Sequence, residues 1–395
     1  MTYRAIYTYG WDLAEDGVPK AVDRFRELGL DTVTIAGSYH AGKFLRPHGR
    51  RGKVYFPEDG TIYFRCDPAR YGTIKPLVNS LLAKHDILRE LTERSDIRTN
   101  VWLVLMHNTA LGMRHVQSTI RNAFDDRYVY NLCPSAPETR AYALGLARDV
   151  TEAYPVSGLS LETPGFLPYA HGFHHEFALN RSNRWLDSLL GLCFCDHCTK
   201  EARKSGIDVR RLKEQVARDI NDYLSSDVDF PPDMAEAFWM ADVVYGGELR
   251  AFLDWRCTMV TSLVAEIRSV VRKDAQVAVI PSVARPTAGA WYEGSDLAAL
   301  AKAAGIIEAC FYETTPQRVL ADLFDVRRRL DGHGRLRGIL RPAYPDFSSL
   351  PEFLAAVQQL QKNGINELAF YNWGHLRDAN VAWIGEALRF MSKAS

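Results

Sequence analysis

Net charge is the first thing this sequence lacks: 48 Lys and Arg stand against 48 Asp and Glu in 395 residues. Without a basic or acidic excess there is no overall electrostatic footprint for nucleic acid or an anionic membrane surface, and a small neutral partner is expected. The one basic cluster, Arg46-Pro47-His48-Gly49-Arg50-Arg51-Gly52-Lys53, has the length of a solvated loop. Long hydrophobic runs are missing too. No charge-free stretch of about 18 apolar residues could span a bilayer, and no apolar segment follows Met1 as a secretion signal would, so a cytoplasmic enzyme is expected. Cysteine is sparse, at seven, and odd in number, with three in six positions. That pattern suits thiolate ligation in a reducing compartment better than a disulfide framework.

What is present is an ordinary folded composition, 47% apolar and 24% charged, organised as alternation. Short β-branched and aromatic runs occur at Ala5 to Tyr9, Thr32 to Ala36, Val101 to Met106, Gly158 to Leu161, Val277 to Pro281, Ile307 to Tyr312, Leu336 to Arg341 and Glu367 to Tyr371. Between and after them lie helical patterns at Lys20 to Leu28, Thr73 to Glu93, Glu138 to Ala153, Glu248 to Arg272, Asp296 to Ala304, Gln317 to Leu330, Leu350 to Lys362 and Asn380 to Met391. Eight such units predict an α/β fold, a (β/α)8 TIM barrel made by the whole chain, 1–395. Gly29, Gly305 and Gly364 stand where helix ends need a positive φ. A doubly wound open sheet is the rival, but Tyr9-Gly10-Trp11-Asp12 offers one glycine where a nucleotide-binding turn needs several. Two connections exceed simple loops: Gly37 to about Tyr71, and an insertion at 163–247 that carries the cysteine-rich segment.

In such a barrel the active site is built just past the C-terminal ends of the strands. The first polar residues there are Tyr39 and His40, His107 and Asn108, Glu162, Tyr312 and Glu313, Arg341, and Tyr371-Asn372-Trp373. Aromatic rings suit the C–H faces of a pyranose, and His, Asn and Arg suit its hydroxyls. Glu162 and Glu313 are a candidate carboxylate pair for glycoside hydrolysis. His171, in the run His171-Gly172-Phe173-His174-His175-Glu176, is a candidate substrate contact. The same run could instead form a second metal site, although its spacing is not His-Glu-x-x-His. Proton transfer by His40, His107 or His171 would make the chain a sugar lyase or isomerase, and a silent sugar-binding barrel is a third possibility.

Cys193-Phe194-Cys195-Asp196-His197-Cys198 presents three thiols in C-x-C-x-x-C spacing, which a tight turn can direct onto one tetrahedral metal such as a structural zinc. Cys133, in Asn131-Leu132-Cys133-Pro134, is the candidate fourth ligand, with His174, His175 and His197 as substitutes. Cys66, Cys257 and Cys310 read as small apolar residues.

Over residues 130 to 275 the order Leu161-Glu162, then the C-x-C-x-x-C segment, then the helix opening at Phe252-Leu253-Asp254-Trp255-Arg256 resembles glycoside hydrolase family 42, the β-galactosidase relatives. The resemblance implies an acid/base role for Glu162 and a zinc site at the thiols. It is also similar to uncharacterised barrel proteins with the Asn131-Leu132-Cys133-Pro134 stretch and the His-rich loop. Leu161 stands where the family has an Asn, and Glu313 ends the sixth run rather than the seventh. A carboxylate ending the sixth strand is more similar to α-galactosidase-type barrels, in which the strand-four carboxylate is the nucleophile and the strand-six one the acid/base. The roles of Glu162 and Glu313 are therefore interchangeable, and sugar, linkage, stereochemistry and any homo-oligomeric state stay open.

Overall fold

The computed structural model describes residues 3–50, 52–172 and 181–393. Eight parallel strands close into a barrel: β1 (Arg4–Thr8), β2 (Thr32–Tyr39), β3 (Arg98–Val104), β4 (Gly158–Glu162), β5 (Gln276–Ile280), β6 (Gly305–Cys310), β7 (Arg335–Leu340) and β8 (Leu368–Phe370). Closure comes from β1, which pairs with β8 through Arg4–Leu368 and with β2 through Ala5–Thr32. Every expected strand is present within a few residues of its expected ends.

Strand alternation separates two apolar layers. Ile6, Val33, Val101, Leu159, Leu161, Val277 and Ile307 pack outward against the helices. Tyr3, Ala5, Tyr7, Tyr9, Trp102, Cys310 and Tyr312 fall in a second cluster that fills the barrel. Aromatics dominate that interior in place of the branched aliphatics usual in such barrels.

The outer ring contains α1 (Val18–Glu27), α2 (Ile87–Thr92), α3 (Pro137–Ala153), α4 (Gly247–Val270), α5 (Leu297–Ala304), α6 (Pro316–Leu330), α7 (Leu350–Lys362) and α8 (Asp378–Lys393). Gly29, Gly305 and Gly364 adopt φ of +89°, +92° and +75°. The expected helix from Thr73 to Glu93 is a correction: it is broken into a short strand, a single turn and the six-residue α2. Pro76 disfavours helix at Lys75, and the side chains of Asn79 and Asp86 each accept from a backbone N–H, at Leu81 and Arg89, so each starts a new element.

Three excursions rise from the barrel mouth. The one after β2 includes Arg46, whose guanidinium is buried against Asp12 at 2.7 Å and Glu15 at 2.8 Å, so part of the basic cluster is an internal ion-pair network. After β3 comes an antiparallel hairpin, Thr119–Arg121 with Arg127–Leu132. After β4 come four helices, Arg184–Leu190, Asp196–Lys204, Val209–Ser225 and Pro232–Tyr245. Among the described residues no helix is long and apolar enough to cross a membrane.

Candidate active site

Glu162 is the last residue of β4, and alternation from Leu161, which faces the helices, turns its side chain into the barrel mouth. It lines a cavity of about 300 Å³ shared with Tyr39, His40, Trp102, His171, Arg285, Tyr312, Arg341 and Tyr371. Among the described residues its one hydrogen-bond donor is the Trp102 indole, Nε1 to Oε2 at 2.5 Å. Burial pushes the carboxyl from 4.5 up to about 7, with the indole hydrogen bond opposing the shift. The chain then turns sharply: Thr163 has φ +51°, a left-handed conformation that costs a β-branched residue of order 1–3 kcal/mol. Strain of this size directly after a buried carboxylate is typical of functional sites.

The walls are aromatic and imidazole. Tyr9 links two lining phenols, donating to Tyr39 Oη at 3.1 Å and sharing a 2.9 Å hydrogen bond with Tyr371 Oη. His40 stacks on Tyr39 at 4.3 Å and on His107 at 3.9 Å, and His107 Nδ1 meets His171 Nε2 at 3.1 Å. Burial holds the His40 imidazole below its ordinary value, so its neutral form is favoured. Arg341 lies over the Tyr312 ring at 4.3 Å, and its Nε donates to Asp346 at 2.8 Å.

Four of the expected contacts point elsewhere. Asn108 caps the helix Thr109–Arg114, accepting from Leu111 N, and donates to Gly60 O at 3.0 Å. Asn372 accepts from Gly374 N at 2.9 Å as a turn cap. Trp373 donates to Asp16 at 3.0 Å and stacks on His48 at 4.9 Å. Glu313 is buried against Arg318, Nε to Oε2 at 2.6 Å, and is absent from the lining of the cavity that holds Glu162. For Asn108, Glu313 and Asn372 the reason is shared: chain leaving a strand alternates, so of two adjacent polar residues one faces the mouth and its neighbour faces the packing around it, whereas Trp373 is turned aside by the turn Trp373–His375 that it opens. Tyr312 and Tyr371 took the inner places.

Glu293, which no sequence pattern singles out, is another carboxylate near the mouth. It ends the turn Thr287–Glu293 after β5, is buried, and accepts from Ser282 Oγ. With Thr163 and His171 it lines a cleft of about 600 Å³ that adjoins the cavity at His171 and Val283. Burial pushes its carboxyl from 4.5 up to about 7; the Ser282 hydrogen bond opposes this, and the charge of Glu162 adds to it. A loop Glu carries no periodic signal, so nothing in the sequence separates it from a surface residue. Trp102 and Arg285 were equally silent, the first lying within a strand and the second in the loop beyond β5.

Cys133, Cys193, Cys195 and Cys198 bring four buried thiols within 4.8 Å of one another, an arrangement that could hold a metal ion. Sγ separations from Cys133 are 3.4 Å to Cys198, 3.6 Å to Cys195 and 4.0 Å to Cys193. The backbone N–H groups of Arg121 and Cys198 donate to Cys193 Sγ and Cys195 Sγ, each at 3.5 Å. Cys133 arrives from the end of the β3 hairpin, where its N–H donates to Ser118 O at 2.8 Å. His197 instead lies 4.0 Å from Glu138, while His174 and His175 lie outside the described residues.

No protein-family model and no curated protein matches the chain. Among solved structures it is similar to the glycoside hydrolase domain of PgaB (BpsB) from Bordetella bronchiseptica, with 15% identity over 98% of both chains and a TM-score of 0.59. It also matches an endo-β-1,4-mannanase from Thermotoga petrophila, at 10% identity over all of this chain and 78% of the other, with a TM-score of 0.49. An α-L-fucosidase isoenzyme from Paenibacillus thiaminolyticus matches at 12% identity over 99% and 49%, with a TM-score of 0.47. The last two are too distant to carry an argument, and the resemblance to family 42 rests on the sequence motifs alone. The chain is a closed (β/α)8 barrel, a fold it shares with a glycoside hydrolase domain.

Proposed function

We propose that the chain is a glycoside hydrolase acting on a small glycoside or oligosaccharide, with Glu162 as the proton donor to the leaving oxygen. The observation that carries this is a buried strand-end carboxyl held near 7 in a cavity walled by phenols, an indole and imidazoles. A carboxylic acid that keeps its proton near neutral pH matches the requirement for general acid catalysis. Glu293 takes the place that Glu313 holds on sequence grounds: its carboxyl lies close enough to Glu162 for the two charges to oppose each other. It would orient or deprotonate the attacking water from the adjoining cleft. The two carboxyls would titrate as a pair rather than as independent groups.

The same proposal assigns a structural zinc to the four thiols. A tetrahedron with Zn–S bonds of about 2.3 Å has edges of about 3.8 Å, and the separations of 3.4, 3.6 and 4.0 Å bracket that value. The metal would tie the β3 hairpin to the β4 insertion and so hold the roof over Glu162. Seven free thiols support a reducing, cytoplasmic setting.

A second reading, sugar elimination or isomerisation, draws on the His40, His107 and His171 contacts. Incubation with a panel of aryl glycosides in ¹⁸O-water separates the two. Hydrolysis places one solvent oxygen in the released sugar, whereas an unsaturated or isomerised product without that label contradicts the hydrolase reading.

A further inference from the structure

Overall neutrality of the chain predicts a neutral ligand, but the cavity itself is not neutral. Two guanidinium groups line it, Arg285 from the loop after β5 and Arg341 just past β7. Both lean on one carboxylate, the fully buried Asp346: Arg285 Nη1 at 3.3 Å, and Arg341 through Nε at 2.8 Å together with Nη2. One acid between two bases leaves a formal charge of plus one at the wall. Glu162 does not cancel it where its carboxyl keeps its proton, and His40 is held toward its neutral form.

The donors are also unevenly spent. Arg341 gives its Nε and Nη2 edge to Asp346, leaving Nη1. Arg285 uses only Nη1, toward Tyr312 O and Asp346 Oδ1. Its Nε and Nη2 edge, the fork that fits a carboxylate in two parallel hydrogen bonds, has no hydrogen-bond partner among the described residues. Arg285 and Arg341 flank the Tyr312 ring, at 5.6 and 4.3 Å from guanidinium carbon to ring centre. A group bound there would sit along the β5 to β7 arc, beside Glu162 on β4. A cavity of about 300 Å³ is at the small end of ligand pockets and has room for about one sugar ring.

We infer that this cavity takes an acidic sugar, a hexuronic acid whose carboxylate is clamped by Arg285 and Arg341. The inference rests on the sugar-site reading above and narrows its substrate class. It also gives the two arginines a role that an internal ion pair with Asp346 alone would not require, because a structural pair needs one of them.

Binding separates this from the catalytic claim. Glucuronate, galacturonate, glucose, galactose and glucose 6-phosphate are titrated into the intact protein by ligand-observed NMR, alongside the Arg285→Gln, Arg285→Lys and Glu162→Gln variants. The expected result is that a uronate binds about 10- to 100-fold more tightly than its neutral parent. Arg285→Gln should abolish that preference and Arg285→Lys should restore part of it. Glu162→Gln should still bind the uronate while failing to hydrolyse uronides, so loss of turnover there tests the acid and not the clamp. Equal binding of uronates and neutral sugars, no binding of either, tighter binding of glucose 6-phosphate than of glucuronate, or a uronate preference that survives Arg285→Gln would overturn the inference.

Discussion

Two glutamates face the inside of this barrel, and their surroundings could hardly differ more. Glu308, near the middle of β6, is wholly buried and accepts from Tyr3 Oη at 2.7 Å and Ser160 Oγ at 2.8 Å. Beside it Arg337 covers the Tyr3 ring at 3.8 Å and is itself held by Glu367 and Gln276, each at 2.6 Å. Glu162 stands only two residues beyond Ser160 on the same inward face of β4, yet among the described residues its carboxyl has one indole N–H and no ion pair. The first carboxylate is satisfied and closes the barrel floor. The second is left short of partners, and the energetic cost of its burial appears as a retained proton. Burial alone does not mark a functional carboxylate; burial without compensation does.

Replacing each carboxyl in turn tests this difference. Glu162→Gln should cut turnover by about 10²- to 10⁴-fold with the fold intact, as measured by steady-state rates and circular dichroism. A variant with near-normal rates would place the acid elsewhere. Removing metal from the thiol cluster, or Cys193→Ser, should lower stability by several kcal/mol in thermal unfolding; an unchanged melting temperature after verified metal removal would argue against the structural role. The next effect is one of pH. Because the Glu162 carboxyl rises from 4.5 to about 7 on folding, the folded state binds more protons between those values and its stability falls as pH rises through them. Relative to Glu162→Gln, wild type should lose about 3 kcal/mol between pH 4 and pH 8 in chemical denaturation. Glu308→Gln should cost about 1–3 kcal/mol in the same measurement, since it disturbs a satisfied network, and Glu313→Gln should cost about 1 kcal/mol or less with turnover retained, because Arg318 is mostly exposed.

Much of the frame was readable in advance because periodicity is a local property. Strand alternation, helical period and the glycine helix ends set the eight units, and C-x-C-x-x-C spacing marked three of the four clustered thiols. What escaped depends on which way one side chain turns. Asn108, Asn372, Trp373 and Glu313 follow strand ends as site residues do, but alternation and local capping bonds turn them away from the mouth. Glu293, Trp102 and Arg285 reach the mouth from a turn, a strand and a loop that carry no polar signature. The sharp stop at Pro76 was legible and was outweighed by the apolar spacing around it.

Among the described residues one indole hydrogen bond is all that opposes the burial of Glu162, so its carboxyl is expected to hold its proton to near-neutral pH. Infrared difference spectroscopy of the carboxyl band, wild type minus Glu162→Gln, measures this directly across pH 3 to 9. The expected result is a carboxyl that titrates at about 7 and is absent from the variant. A band that titrates near the ordinary 4.5 would contradict it.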